Sequence, residues 1–173
     1  IHYWSKKLKK KILNEIESNK KLKLISFQAT SCYQKPLIEN KIFYANGKKI
    51  SEIKMIENAK NDIDWLKKKI KKNISIALEN NNYYNTNAYL TVTDPKFLSE
   101  IIKKNNIYLL LDIAHAKITS INNNLNFEDY LYDLPLSKVI QVHLCRHQIK
   151  NGVAIDSHFK PSLSNIQFIL KLL

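Results

Sequence analysis

The sequence predicts an α/β protein built on a parallel sheet, and three observations carry that reading. Four short apolar runs, at 22–27, 74–78, 108–111 and 139–144, are β-branched and almost unbroken, as strands buried on both faces are. Helical patterns lie between them. Three of the runs lead directly into acidic or histidine residues that a buried sheet would exclude from its interior.

Taken in order, residues 3–18 form a basic amphipathic helix, followed by the first strand. From 51 to 72, Ile53, Ile56, Ile63, Leu66 and Ile70 recur on one face of a long helix. After the second strand, Thr93-Asp94-Pro95 supplies a cap and a first-turn proline to a helix bearing Phe97, Leu98, Ile101 and Ile102. The third strand follows, then a short helix over 127–132 that stops before Pro135. After the fourth, Ser162 or Ser164 caps a last helix carrying Ile166, Ile169 and Leu172. Such alternation gives right-handed crossovers and leaves two architectures, a doubly wound sheet and a (β/α)8 barrel. The only glycines, Gly47 and Gly152, form no phosphate-binding loop, which argues against a nucleotide-binding doubly wound fold. A full barrel takes about 250 residues and eight strands. With about four βα units in 173 residues, the chain reads as one domain, 1–173, and as a partial or truncated barrel.

Composition narrows the function classes. The chain is 45% hydrophobic and 25% charged, the profile of a folded domain, and no apolar run is long enough for a membrane span. Its formal charge is +13, which can mark a nucleic-acid partner. Of the 28 basic residues, however, Arg146 is the only arginine, so the bidentate fork used to read phosphates and bases is nearly absent. Neither a nucleic acid nor a membrane is an expected partner. Cys32 and Cys145 form no CxxC pair and no disulfide framework, and residues 1–20 lack the apolar core of a signal peptide. The expected setting is the reducing cytoplasm.

The chemistry gathers where strands end. Residues 74–78 run into Glu79-Asn80, 109–111 into Asp112 with His115 beyond, and 139–142 into His143 with His147 beyond; Asp156-Ser157-His158 follow a short loop. In this architecture such ends share one face, where sites are built. Singly, each residue has an ordinary explanation: a capping Asp, a hydrogen-bonded core His, a turn. Clustered, the carboxylates would repel one another, and a divalent cation is the common remedy. Mixed Glu, Asp and His ligation suits Fe, Mn or Zn better than Mg or Ca. Cys145 reads as a small residue at the core edge, and Tyr83 and Tyr84 as packing residues or pocket walls.

These residues also form a series. Leu78-Glu79-Asn80 with Tyr84, then residues 93–98, then 109–115, Tyr130-Leu131 and Leu134-Pro135-Leu136 are followed by Val142-His143-Leu144, His147, Gly152, residues 155–158 and Pro161. The series, strongest over 74–161, resembles the multinuclear non-heme iron-dependent oxidases, the MNIO family. The resemblance implies a xylose-isomerase-like TIM barrel with two or three iron ions at its C-terminal face. It implies oxidative, O2-dependent modification of cysteine residues in a ribosomally made precursor peptide, often with a partner protein that delivers the peptide. Motif by motif it carries iron ligation to Glu79, Asp112, His143, Asp156 and His158, and to His115, where the family frequently has Asn. It assigns supporting positions behind the ligands to Asn80 and His147. Gln28 stands where the family draws a His from its first strands, and the family's late carboxylate has no counterpart before Leu173, so the chain is expected to be the middle of such a protein or a shortened relative. Two other readings keep the barrel: a metal-dependent sugar isomerase or apurinic endonuclease, and a non-catalytic partner subunit.

Overall fold

The computed structural model of the protein describes residues 2–172. Its elements are α1 (Lys6–Ser18), β1 (Leu24–Gln28), β2 (Leu37–Glu39), β3 (Ile42–Tyr44), α2 (Glu52–Lys67), β4 (Ser75–Glu79), α3 (Pro95–Asn105), β5 (Tyr108–Asp112), α4 (Ile113–Asn122), α5 (Phe127–Asp133), β6 (Val139–His143), β7 (Arg146–Lys150), β8 (Val153–Phe159) and α6 (Leu163–Leu172). The four apolar runs are β1, β4, β5 and β6, and they form one sheet in the order β1-β4-β5-β6, parallel at every pairing. The order never reverses, so the sheet has no switch point of the doubly wound kind. It is a four-stranded wall with β1 and β6 at its edges, not a closed barrel.

The helices form where local chemistry permits. Ser51 accepts from Lys54 N–H at the start of α2, and Asp94 accepts from Lys96 N–H with Pro95 at the first position of α3. Ser162 Oγ accepts from Asn165 N–H at the start of α6, which settles which serine caps it. The long second helix ends at Lys67, earlier than its periodicity suggests, and α1 begins at Lys6. The core lies between the sheet and the helices: Ile76, Leu78, Leu109 and Leu111 pack with Met55, Leu66, Leu98 and Ile101. Strand alternation then turns Ala77 and Glu79, and Leu110 and Asp112, to the other face. Among the described residues, no helix is long and apolar enough to cross a membrane.

Three features depart from regular strand–helix alternation. Helix α4 follows β5 without a loop, because the Asp112 carboxylate that ends the strand also caps the helix, accepting from His115 N–H at 2.9 Å. Two antiparallel hairpins, β2–β3 and β7–β8, interrupt the pattern. Each turns on a pair of left-handed residues, Asn40-Lys41 and Asn151-Gly152, the backbone that two-residue hairpin turns require. Asp156 and His158, expected with the strand ends after a short loop, are therefore corrected in position: they lie within β8 of the second hairpin and not at the end of a strand of the parallel sheet.

Candidate metal centre

Glu79, Asp112 and His143 are the last residues of three adjacent parallel strands, and register brings them together. Glu79 pairs with Leu110 across β4–β5, and Asp112 pairs with His143 across β5–β6. The second pairing depends on an irregularity. Leu109 faces Val139 but Leu110 faces Gln141, so Ile140 is an extra residue in β6. If Ile140 were paired in a regular ladder, Val142 would stand beside Asp112. One ligand atom from each of Glu79, Asp112 and His143 then lies within 4.8 Å of the others. His143 Nδ1 is 3.7 Å from Glu79 Oε1 and 3.8 Å from Asp112 Oδ2. Its other ring nitrogen is held by Gln141 at 3.1 Å.

His115 fills the inner side of this cluster, buried. Its Nδ1 lies 2.9 Å from the Asn80 carbonyl, an acceptor, so that nitrogen carries a proton. Nε2 faces Asp112 Oδ2 at 3.9 Å and Asp156 Oδ2 at 3.7 Å. Burial alone would lower the His115 pKa, but the bond to Asp156 and the charges of Asp112 and Glu79 outweigh it and push it up to about 9. Burial, with the Asp112 charge, raises the Glu79 carboxyl against the opposing pull of His115, Gln28 and His143. Asp156 moves the other way: burial is outweighed by the hydrogen bond and charge of His115 and by His158, which lower it.

Asn80 braces the floor. Asp112 N–H donates to its Oδ1 at 2.8 Å, and its Nδ2 donates to the Asp112 carbonyl at 2.9 Å, which locks the ends of β4 and β5 together. Gln28, at the end of β1 and in register with Glu79, hydrogen-bonds to the Glu79 side chain. The residue found in place of a first-strand histidine thus touches the cluster and holds one of its acids. Tyr84 packs as foreseen, its ring centroid 5.5 Å from that of Tyr89, and its hydroxyl also accepts from Asp156 N–H at 3.3 Å.

A second group adjoins the first through Asp156, whose Oδ2 faces His115 while its Oδ1 lies 2.8 Å from His158 Nδ1. Cys145 completes it, with ligand atoms of Cys145, Asp156 and His158 within 4.8 Å of one another. Cys145 is half-buried, as a core-edge residue is, and it also borders the acids: burial together with the charges of Asp112, Asp156 and Glu79 pushes its thiol up to about 11. Only a metal-ligand reading of Cys145 could have found this, and nothing in its spacing to His143 and His147 required one. His147 is not drawn in. It is half-buried on β7, where burial and the charge of Lys117 lower its pKa, and among the described residues it makes no ion pair with the carboxylates.

The donor set fits a cation. Glu79, Asp112 and Asp156 converge around one imidazole, and among the described residues no Lys or Arg pairs with any of the three, although the chain carries 28 basic residues. A spread of 4.8 Å is close to twice a metal–ligand bond of about 2.0–2.2 Å, so side-chain shifts well under an ångström would close the Glu79 group on one ion. Nitrogen and oxygen donors in this mix suit a divalent transition metal.

An α/β chain with a metal-type cluster at the C-terminal ends of parallel strands is the class that fold and site define. Residues 37–172 match the family model described as RiPP precursor modification enzyme MbnB/TglH/ChrH. The chain belongs to this family, as the motif series indicated. Curated relatives match half of the chain. A UPF0276 protein of Caulobacter vibrioides is 33% identical over 86 residues, 50% of this chain and 31% of that protein. UPF0276 proteins of Rhizobium meliloti and Vibrio parahaemolyticus are 32% identical over 91 residues and 29% over 90, again half of this chain and 29% and 31% of theirs. The chain thus matches about a third of the length of these relatives.

Proposed function

We propose that this chain forms the metal-binding core of an iron-dependent enzyme that oxidatively modifies cysteine residues of a ribosomally made precursor peptide. The observation that carries the proposal is the convergence of Glu79, Asp112, His143, Asp156 and His115 in a chain of the MbnB/TglH/ChrH family. Glu79, Asp112 and His143 would hold one ion, with His115 Nε2 and Asp156 Oδ2 on its inner side. The two oxygens of Asp156 lead from this group to His158, which supports a centre of more than one ion. Iron, when bound, supplies redox chemistry with O2 and an acceptor position for a substrate thiolate.

The chain's own residues do the positioning. Asn80 fixes the backbone of Asp112, Gln28 holds the Glu79 carboxylate, and Gln141 turns the His143 ring so that Nδ1 faces the acids. To act as a ligand through Nε2, His115 gives up the proton that its three acid neighbours otherwise hold on it. The partners of this reading are the precursor peptide and a protein that delivers it.

The test is O2 uptake by the anaerobically purified, Fe2+-loaded chain, offered cysteine-containing peptides and the same peptides with Cys replaced by Ser. The proposal expects uptake and a peptide mass change that require both iron and the thiol. Iron-dependent uptake indifferent to the thiol would contradict the substrate class, and a hydrolytic or isomerising activity without O2 would contradict the oxidative one.

A further inference from the structure

The Cys145 group has features that the Glu79 group does not explain. Its donors come from two stretches: Cys145 from the short link between β6 and β7, Asp156 and His158 from β8. Arg146 pairs with Phe159 and Gln148 with Ile155, so residues 156–158 bulge out opposite His147 alone. The bulge holds His158 at φ 50, a left-handed conformation that a residue with a Cβ rarely adopts. It directs His158 Nδ1 to 2.8 Å from a buried Asp156 oxygen that has no well-formed hydrogen bond of its own. Cys145 is a free thiol, and the other cysteine, Cys32, is fully buried elsewhere with its Sγ against the Asn87 carbonyl. Three chemically different donors therefore converge where the backbone is bent to bring them.

We propose that Cys145 supplies a thiolate ligand to a divalent cation held between Asp156 and His158, giving the centre of this chain a sulfur donor. The inference rests on the metal-centre reading above and adds a ligand to it. On binding, the Sγ–H proton passes to solvent and a sulfur–metal bond forms; no electron is transferred. A thiolate, a carboxylate and an imidazole select a borderline cation such as Fe2+, Co2+ or Zn2+ over Mg2+ or Ca2+. With three protein donors and His158 largely exposed, the ion keeps a position open to solvent or to an incoming group.

The probe is Co2+ itself, titrated anaerobically into the full chain and followed by optical absorption. The expected result is the visible ligand-field absorption of bound Co2+ together with a near-ultraviolet sulfur-to-cobalt charge-transfer band. That band should vanish in Cys145→Ser and Cys145→Ala while visible absorption remains, and it should persist in Glu79→Gln. X-ray absorption of the same samples should show a sulfur scatterer at about 2.3 Å in the parent chain and none in Cys145→Ser. Visible absorption without the charge-transfer band, or a band that survives Cys145→Ser, would overturn the thiolate ligand and leave the metal centre standing. No bound Co2+ at all would overturn both.

Discussion

At the scale of single residues, the account turns on carboxylates that, among the described residues, pair with histidines and with no Lys or Arg. Glu79 and His143 belong to the same group, so Glu79→Gln and His143→Ala should each lower bound metal per chain while circular dichroism stays unchanged. Unaltered metal content in both would remove them from the ligand set. Asn80 is the supporting residue with most to lose. Its two bonds to the Asp112 backbone are buried, and Asn80→Ala should cost about 1–3 kcal/mol for each polar group left unpaired, read from urea unfolding. The same change should weaken metal affinity about 10- to 100-fold, as loss of a ligand's supporting bonds does elsewhere. Stability lost with metal affinity intact would mean that Asn80 holds the fold and not the ligands.

Much at this scale was legible, because Glu, Asp and His at the ends of apolar runs are expensive unless something uses them. Cys145 was not, since a cysteine flanked by apolar and basic residues reads equally well as packing. His147 sat at an inviting spacing from His143, yet β7 turns away in a hairpin and leaves it beside Lys117. Gln28 looked like a missing histidine, and only the β1–β4 register shows that it holds Glu79.

At the scale of elements, the four parallel strands were readable from their unbroken β-branched runs, and most helices from their caps. The hairpins were not read, although Asn151-Gly152 is a strong hairpin signal, because the apolar runs around it are short and mixed with polar residues. The bulge at Ile140 has no sequence signature at all, and it sets the register in which His143 meets Asp112. Deleting Ile140 should remove the bulge and leave regular pairing in which His143 still stands beside Asp112. The deletion chain should fold with its secondary structure intact and keep its metal; loss of metal in a folded deletion chain would show that the Asp112–His143 register is not enough to position His143. Helix α1 gives a separate prediction. It buries none of its residues, and the buried carboxylate of Asp62 on α2 accepts from Trp4 N–H at 2.7 Å and pairs with Lys9 at 2.8 Å. Asp62→Asn should loosen the N-terminal segment, seen as faster proteolysis within α1 while the remainder of the chain resists. Uniformly faster cleavage would mean that Asp62 supports the whole core.

For the whole molecule, the sheet is one stretch of parallel wall whose strands run in chain order, with β1 and β6 unpaired on their outer edges among the described residues. That order is the one a barrel wall has, and the relatives, about three times the matched length, leave room for more of it. A metal bound at the ends of β4, β5 and β6 ties together three strands and the β7–β8 hairpin. Metal-loaded protein should therefore be harder to unfold than chelator-treated protein, by about 2.7 kcal/mol at a free metal concentration 100 times the dissociation constant. Equal midpoints with and without chelator would mean that the fold does not depend on the centre.

The most direct test of the central claim is element-resolved metal analysis of the chain purified without oxygen, counting Fe, Mn and Zn per polypeptide in the parent and in Glu79→Gln. The account predicts two or more irons per chain in the parent and a clear loss in the variant. Zinc or manganese in place of iron would contradict the oxidase, and a chain that binds no metal under these conditions would contradict the centre itself.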